Sequence, residues 1–308
     1  PTTVTANGTI GGTSTGQITL ASVTVNDGVT LTLGAGAASP VSAGAIQGVA
    51  GETASNITIN VADNAANPMV QIASIGTDIG TVTVTQSSGV TVTGTVNAVT
   101  VTLTDTRDGQ TIDFQGAVTA TSLTTAAQGY NVRFRNGGTI TNAVTFSNTG
   151  SLTIDAGFTF TGGVTKTVGV KSLAGTIDTT NAPINLGTAG NITLTANTTL
   201  DSGTGAITLY DIPGPANCNL VLSGSGTNTL GVVNLGSGTL DLSGLTGGST
   251  TVNGGLTAQA LSTPAAAVNL AFNTGAGVQT STITNAVTFS NTGTLTLGNA
   301  AGDSITFT

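Results

Sequence analysis

The stretch "TDTRDGQTID" carries the side chains of this sequence that are best placed to do chemistry: Asp105, Arg107, Asp108 and Asp113. Two carboxylates and a cation on neighbouring coils of a repetitive fold could act as a general acid and base, or the carboxylates could hold Ca²⁺. The alternative is a solvated turn, with Asp108 and Gly109 at its tight corner. We favour the turn, and the aligned stretch of the second repeat, "LSGLTGGSTTV", has none of these charges. We therefore expect no catalytic, cofactor-binding or metal-binding residue, and Asp105, Asp108 and Asp113 are only weak candidates for a metal site.

The remaining residue types restrict what the chain could catalyse. It has no histidine, which removes the Ser-His-Asp triad and histidine-ligated metal sites. Cys218 is the only cysteine, so an internal disulfide is impossible, and we expect it to be a small buried apolar residue. The other aspartates are scattered one at a time, among them Asp27, Asp63, Asp155, Asp178, Asp201 and Asp303. The sequence predicts a protein that is not an enzyme and needs no cofactor.

The charge content argues against two classes of partner. Only 6% of the residues are charged, where about 25% is usual, and the net charge is −8 with five basic residues. Nucleic acid binding needs clustered Lys and Arg, and the densest basic group, Arg133 and Arg135, is expected to form an exposed cross-strand pair. We expect no nucleic acid partner and no insertion of this segment into a membrane, since its uncharged stretches are broken by Gly, Ser and Pro.

Apolar residues alternate with threonine along much of the chain. In "TVTVTQSSGVTVTGTVNAVTVTLT", Thr81–Thr104, Val or Leu fills alternate positions of three short runs, which is typical of strands with one buried face. β-branched residues suit such strands, and Gly, Asn, Ser and Asp separate the runs as turn residues. No segment has the apolar spacing of a helix. The pattern predicts an all-β fold.

Short strands at intervals of eight to twelve residues fit two architectures. One is a set of tandem antiparallel β-sandwich domains, and the other is a parallel β-helix, or β-solenoid. Sandwiches usually hold their sheets together with large residues such as a buried Trp, and this chain has no Trp and two Tyr. A core of Val, Ile, Leu, Ala and a few Phe favours the solenoid.

The dodecamer "TITNAVTFSNTG" occurs twice, at Thr139–Gly150 and at Thr282–Gly293. Around it the chain repeats with a module of about 140 residues. This repetition predicts N-terminal coils at residues 1–99, a first module at 100–238 and a second, shorter module at 239–308, all within one continuous solenoid. The inward residues of the dodecamer are expected to be Val144 and Phe146, and in the second copy Val287 and Phe289.

The stretch "GTIDTTNAPINLGTAGNITLTANTTLDSGTGAITL", Gly175–Leu209, resembles the repeat regions of filamentous-haemagglutinin-like bacterial exoproteins and autotransporter passengers, some of which use two-partner secretion. Sequence of the same repetitive type extends over nearly all of the chain. The resemblance implies a right-handed parallel β-helix, an extracellular or cell-surface location, and roles in adhesion, aggregation or biofilm. The chain starts at Pro1 without Met, so we expect a processed product or a piece of a longer protein.

These observations lead to one functional hypothesis and two alternatives. We expect a structural and adhesive segment of an extracellular surface filament, with further copies of itself and cell-surface glycans as partners. The first alternative is a polysaccharide-degrading β-helix enzyme built on the acidic cluster. The second is an ice-binding solenoid that uses T-x-T ladders such as "TVTVT". Ice binding needs one register on every coil, and the drifting strand spacing argues against it.

Overall fold

The computed structural model describes residues 2–12, 16–63 and 69–308. Strands and loops account for all of these residues, and the strand ladders described between them are parallel. The prediction of an all-β parallel β-solenoid is confirmed, and the antiparallel sandwich is excluded. No helix long and apolar enough to span a membrane occurs in this part of the chain. The right-handed sense, which comes from the resemblance, stays a prediction.

The chain divides into two compact units, Pro1–Thr153 and Ile154–Thr308. Each is a parallel β-solenoid, and together they contain about 14 turns. The division into modules at residues 100 and 239 rests on sequence repetition rather than on compactness, and it stays a prediction.

The strands of the first unit are mostly three to eight residues long. They are β1 (Thr2–Val4), β2 (Gly8–Ile10), β3 (Ile18–Leu20), β4 (Val23–Val25), β5 (Thr30–Leu33), β6 (Val41–Gly48), β7 (Ser55–Asn60), β8 (Val70–Ile75), β9 (Ile79–Gln86), β10 (Val90–Val92), β11 (Val96–Leu103), β12 (Thr111–Phe114), β13 (Val118–Thr125), β14 (Asn131–Phe134), β15 (Gly138–Ile140) and β16 (Val144–Thr145). β17 (Leu152–Ile154) contains the point of division.

The strands of the second unit run to ten residues at most. They are β18 (Phe158–Phe160), β19 (Val164–Thr165), β20 (Lys171–Asp178), β21 (Ile184–Leu186), β22 (Ile192–Asp201), β23 (Ile207–Leu209), β24 (Leu220–Gly224), β25 (Thr227–Leu230), β26 (Val233–Asn234), β27 (Thr239–Leu245), β28 (Ser249–Val252), β29 (Leu256–Ala258), β30 (Ala260–Ser262), β31 (Asn269–Phe272), β32 (Thr280–Ile283), β33 (Leu295–Leu297) and β34 (Ser304–Phe307).

The core of the first unit consists of apolar rows that run from coil to coil. One row follows the register of β5, β7, β9, β11 and β13, and its members are Leu31, Ile57, Val82, Val101 and Leu123. Each of them is at most 2% exposed. Burying one such side chain stabilises the fold by about 2 kcal/mol, so each coil is held mainly by the apolar residues of its neighbours.

Aromatic side chains extend this core. The rings of Phe114 and Phe134 stack with centroids 5.4 Å apart, and Phe146 meets Phe134 edge-on at 6.1 Å. Tyr130 is fully buried and donates its hydroxyl proton to the Leu103 carbonyl at 2.6 Å. The buried hydroxyl therefore has a partner, as burial of a polar group requires.

The second unit has an equivalent row along β21, β23, β25, β28 and β31. Its members are Leu186, Leu209, Leu230, Val252 and Phe272, all of them buried. The residues just before the row, among them Thr208, Thr229 and Thr251, are half-exposed, which produces the alternation read from the sequence. Asn228 and Thr250 are exceptions, since both are buried and the Asn228 amide donates to the Thr250 hydroxyl at 3.0 Å.

The two copies of the repeated dodecamer differ in burial. Val144 and Phe146 are each 1% exposed, which confirms their predicted position in the core. Val287 and Phe289 are only half-buried. Phe289 contacts the ring of Phe307 at 6.0 Å, but Phe307 is itself 40% exposed, so the strands next to the second copy cover it less completely.

Candidate functional site

Asp113, the first of the three acidic candidates, is part of a structural ion pair. It lies in β12, and the guanidinium of Arg135, just after β14 of the next coil, donates to both of its carboxylate oxygens at 2.8–3.0 Å. Gln115 donates a further hydrogen bond at 3.1 Å. Burial alone would raise the pKa of Asp113, but the hydrogen bonds from Arg135 and Gln115 and the nearby positive charge lower it below its ordinary value. Asp113 is therefore held as a paired carboxylate across two strands.

Asp108 forms the predicted tight turn. Gly109 has the left-handed φ of 76° that favours glycine, and the Gln110 amide donates to the Arg107 carbonyl at 2.9 Å. The Oδ1 of Asp108 accepts a hydrogen bond from the Gly129 amide of the next coil at 3.0 Å. This carboxylate closes a turn and also joins two coils.

The pKa of Asp105 is raised above its ordinary value. Partial burial is the main cause, the charges of Asp63 and Asp108 add to it, and a hydrogen bond from the Thr106 amide opposes it. The structure thus brings Asp105 close enough to Asp108 for their charges to interact, while Asp113 is engaged by Arg135. Within the described ranges no three His, Cys, Asp or Glu residues are arranged to hold a metal ion.

The scattered Asn and Asp residues share a structural role that the sequence analysis did not predict. At many turns an Asx side-chain oxygen accepts a hydrogen bond from a backbone amide 20–26 residues later, on the next coil, at 2.7–3.2 Å. The acceptors are Asn7, Asp27, Asn56, Asp108, Asn131, Asn181, Asn197, Asp211, Asn217, Asn219 and Asn269. We call these bonds the Asx links. The sequence feature that could have indicated these links is an Asn or Asp near the end of a strand, which recurs at intervals equal to the length of one coil.

Lys166 and Lys171 were also missed. Both are fully buried in the second unit. For Lys166 a signal was present in the sequence, because strand alternation that starts from the inward Val164 also places residue 166 inward. Lys171 donates from Nζ to the carbonyls of Ala189 and Gly190. Burial lowers the pKa of each lysine to about 8, and the charge of Lys171 adds to the effect on Lys166. Because neither side chain is accessible, we assign them to the architecture and not to a substrate site.

Two further expectations have mixed outcomes. Cys218 is half-buried rather than buried, and its thiol forms no disulfide. Arg135 makes the predicted cross-strand pair, with Asp113 as its partner, and its side chain is 41% exposed.

An open groove in the first unit is a candidate binding site. It crosses β9, β11 and β13, reaches Thr141 just after β15, and has a volume of about 280 Å³. Ile79, Ala98 and Ala120 border it but are themselves buried, so the surface of the groove is both polar and apolar. The residues that line it are Ala54, Asp78, Ile79, Asn97, Ala98, Val99, Thr119, Ala120, Thr121 and Thr141. We call it the Val99 groove, because Val99 on its wall is 53% exposed.

Most of the polar side chains that line the Val99 groove are uncharged. Asn97, Thr119, Thr121 and Thr141 are exposed and uncharged. Asp78 stands at one end with a left-handed φ of 61°, and its buried Oδ2 accepts no hydrogen bond from the described residues. The groove thus offers polar groups beside the exposed aliphatic side chain of Val99.

A regular field of small polar side chains lies beside this groove, on five strands. β5, β7, β9, β11 and β13 pair through four consecutive residues without a shift of register inside the segment. Two outward positions on each strand therefore form two aligned columns. The members are Thr30, Asn56, Thr81, Thr100 and Ser122 in the first column and Thr32, Thr58, Thr83, Thr102 and Thr124 in the second. We call this set the threonine array.

The array persists although the coils differ in length. Successive strands of the array start 26, 25, 19 and 22 residues apart. Irregular pairing appears only outside the four residues, as on either side of Asn56–Ile59, so loops absorb the differences. The variable spacing between strands in the sequence therefore does not disturb the alignment of the threonine columns. The sequence analysis used that spacing as an argument against an aligned T-x-T ladder, and for the first unit the argument is wrong.

Neither protein-family models, curated protein sequences nor solved structures give a match to this chain.

Proposed function

We propose that this chain is a structural and adhesive segment of an extracellular bacterial surface filament. The observation that carries the proposal is the Val99 groove on a stacked, nearly uncharged solenoid. The groove offers amide and hydroxyl groups beside an exposed aliphatic side chain, a combination that suits the hydroxyls and the C–H face of a neutral sugar. Cell-surface glycans are the ligand class that it fits.

The construction of the coils supports a mechanical role. Each coil is joined to the next by backbone ladders, apolar rows and Asx links, so adding coils adds length without a new core. Repeated modules of such coils suit a chain that spans distance at a surface. Contacts between copies of the chain would extend or bundle the filament.

A glycan-binding assay with a matched pair of variants tests the adhesive part. Val99→Glu places a charged group on the wall of the groove, and Val170→Glu makes the same change at a valine that is 48% exposed in the second unit. We expect the chain to bind neutral glycans on an array, Val99→Glu to lose that binding and Val170→Glu to keep it. Equal binding by both variants would overturn the assignment of the groove.

Microscopy and an activity screen test the broader role. Electron micrographs of purified chain should show elongated particles, and compact globules would count against a filament segment. Acidic polysaccharides should remain intact during incubation with the chain. Cleavage that disappears in Asp105→Ala and Asp108→Ala would instead establish the enzyme alternative.

A further inference from the structure

The threonine array is an uncharged patch of aligned side chains. All ten of its side chains are uncharged, and nine of them are Thr or Ser. The second column gains a sixth member, Thr9, through the pairing of β2 with β5. Of the ten members of the two columns, Thr124 is exposed and the other nine are half-exposed between their neighbours. The surface is thus a net of hydroxyl and methyl groups.

The spacing of this net is set by the strands. Alternate residues of a parallel strand lie about 6.6 Å apart, and neighbouring strands lie about 4.8 Å apart. Because the register is kept over five coils, both distances repeat across the array. The oxygen atoms of hexagonal ice also form nets that repeat in two directions, at distances of the same order. A surface that repeats in two directions can match a ligand that is a crystal lattice. A ligand that is a single flexible polymer repeats in one direction only.

The side chains are also held in place before any ligand arrives. Thr is β-branched and has few rotamers, so ordering it against a surface loses little entropy. The Thr124 hydroxyl lies 3.5 Å from the Thr102 hydroxyl in the column, and Asn56 is fixed by its bond to the Thr81 amide at 2.9 Å. Beneath the array, the row containing Val82 and Val101 is fully packed.

We infer that the threonine array of the first unit is an ice-binding surface, which orders water into the ice lattice through its aligned hydroxyl and methyl groups. This function goes beyond the proposed contact with glycans and uses a different set of residues. The absence of charge within the array fits this ligand, because a charged group would orient water away from the lattice positions.

Thermal hysteresis and the shape of ice crystals measure this function directly. We expect the purified chain at millimolar concentration to separate the melting and freezing points and to grow faceted crystals. Thr83→Tyr with Thr102→Tyr, on adjacent strands, should abolish most of the hysteresis, because two bulky rings lift the ice from the net. Thr83→Ala with Thr102→Ala removes the hydroxyls without adding bulk and should lower the hysteresis as well.

The matched control is Thr176→Tyr with Thr199→Tyr in the second unit. These residues also pair on adjacent strands, but Asp178 and Asp201 lie two positions away on the same strands. This variant should keep the full hysteresis, and circular dichroism should show that every variant remains folded. Absence of hysteresis and of ice shaping in the parent chain would overturn the inference, as would an equal loss in the control. Binding to crystalline chitin that depends on Thr83 and Thr102, without any effect on ice, would reassign the array to a polysaccharide.

Discussion

The buried lysines predict an unusual dependence of stability on pH. Lys166 and Lys171 are the only lysines of the chain, and burial lowers the pKa of each from 10.5 to about 8. Below pH 8 both are charged in the folded and the unfolded chain, so the full penalty of burying the charge is present. Between pH 8 and 10.5 the unfolded chain holds more protons than the folded one, and the free energy of unfolding therefore rises with pH. A shift from 10.5 to about 8 corresponds to about 3 kcal/mol for each lysine.

Urea unfolding followed by circular dichroism between pH 7 and pH 10 measures this rise. Above pH 10.5 the rise from the lysines is complete and the trend should reverse, since burial raises the pKa of Tyr130 to about 12 and the folded chain then holds the extra proton. The control replaces both Lys166 and Lys171 with Met, which has a similar unbranched shape but does not titrate. A flat profile in the parent, or an equal rise in the Met variant, would refute the reasoning.

Three substitutions test the packing and the links between coils, each by the shift in the urea midpoint. Phe134→Ala removes a fully buried ring and should lower the free energy of unfolding by about 4 kcal/mol. A loss of stability as small as that of a surface substitution would contradict the burial of this ring. Asp211→Ala removes the Asx link to the Val232 amide at 2.8 Å and should lower it by about 1 kcal/mol, whereas Asp211→Asn, which keeps an acceptor oxygen, should be milder. Gly138→Ala should lower it by about 2 kcal/mol or more, because φ is 143° and a Cβ would lie 2.1 Å from the Val118 carbonyl oxygen; parent-like stability would show that the turn differs from the one described.

The sequence was sufficient to predict the class of fold. Alternation in Thr81–Thr104 predicted β9, β10 and β11, because a strand with one buried face imposes a period of two on the residues themselves. The turn at Asp108 and Gly109 was predictable for a similar local reason. In both cases the signal and the structure occupy the same few residues.

The register between coils was not predictable in this way. Thr58 and Thr83 are aligned only because a loop of one particular length connects their strands, and nothing in the local pattern states that length. The same limit applies to the candidate site. The pairing of Asp113 with Arg135 and the burial of Lys171 depend on which coil lies next to which, so the charged residues could be found in the sequence but their roles could not.

The Asx links also determine how a disturbance would travel through each unit. Every link joins one coil to the next and reaches no further, so stability is a sum of terms between nearest neighbours. Breaking the link at Asp211 should therefore speed hydrogen exchange in the two coils that it joins and leave distant coils protected. A chain built this way can gain or lose a coil during evolution, provided that the coils brought together restore the same link.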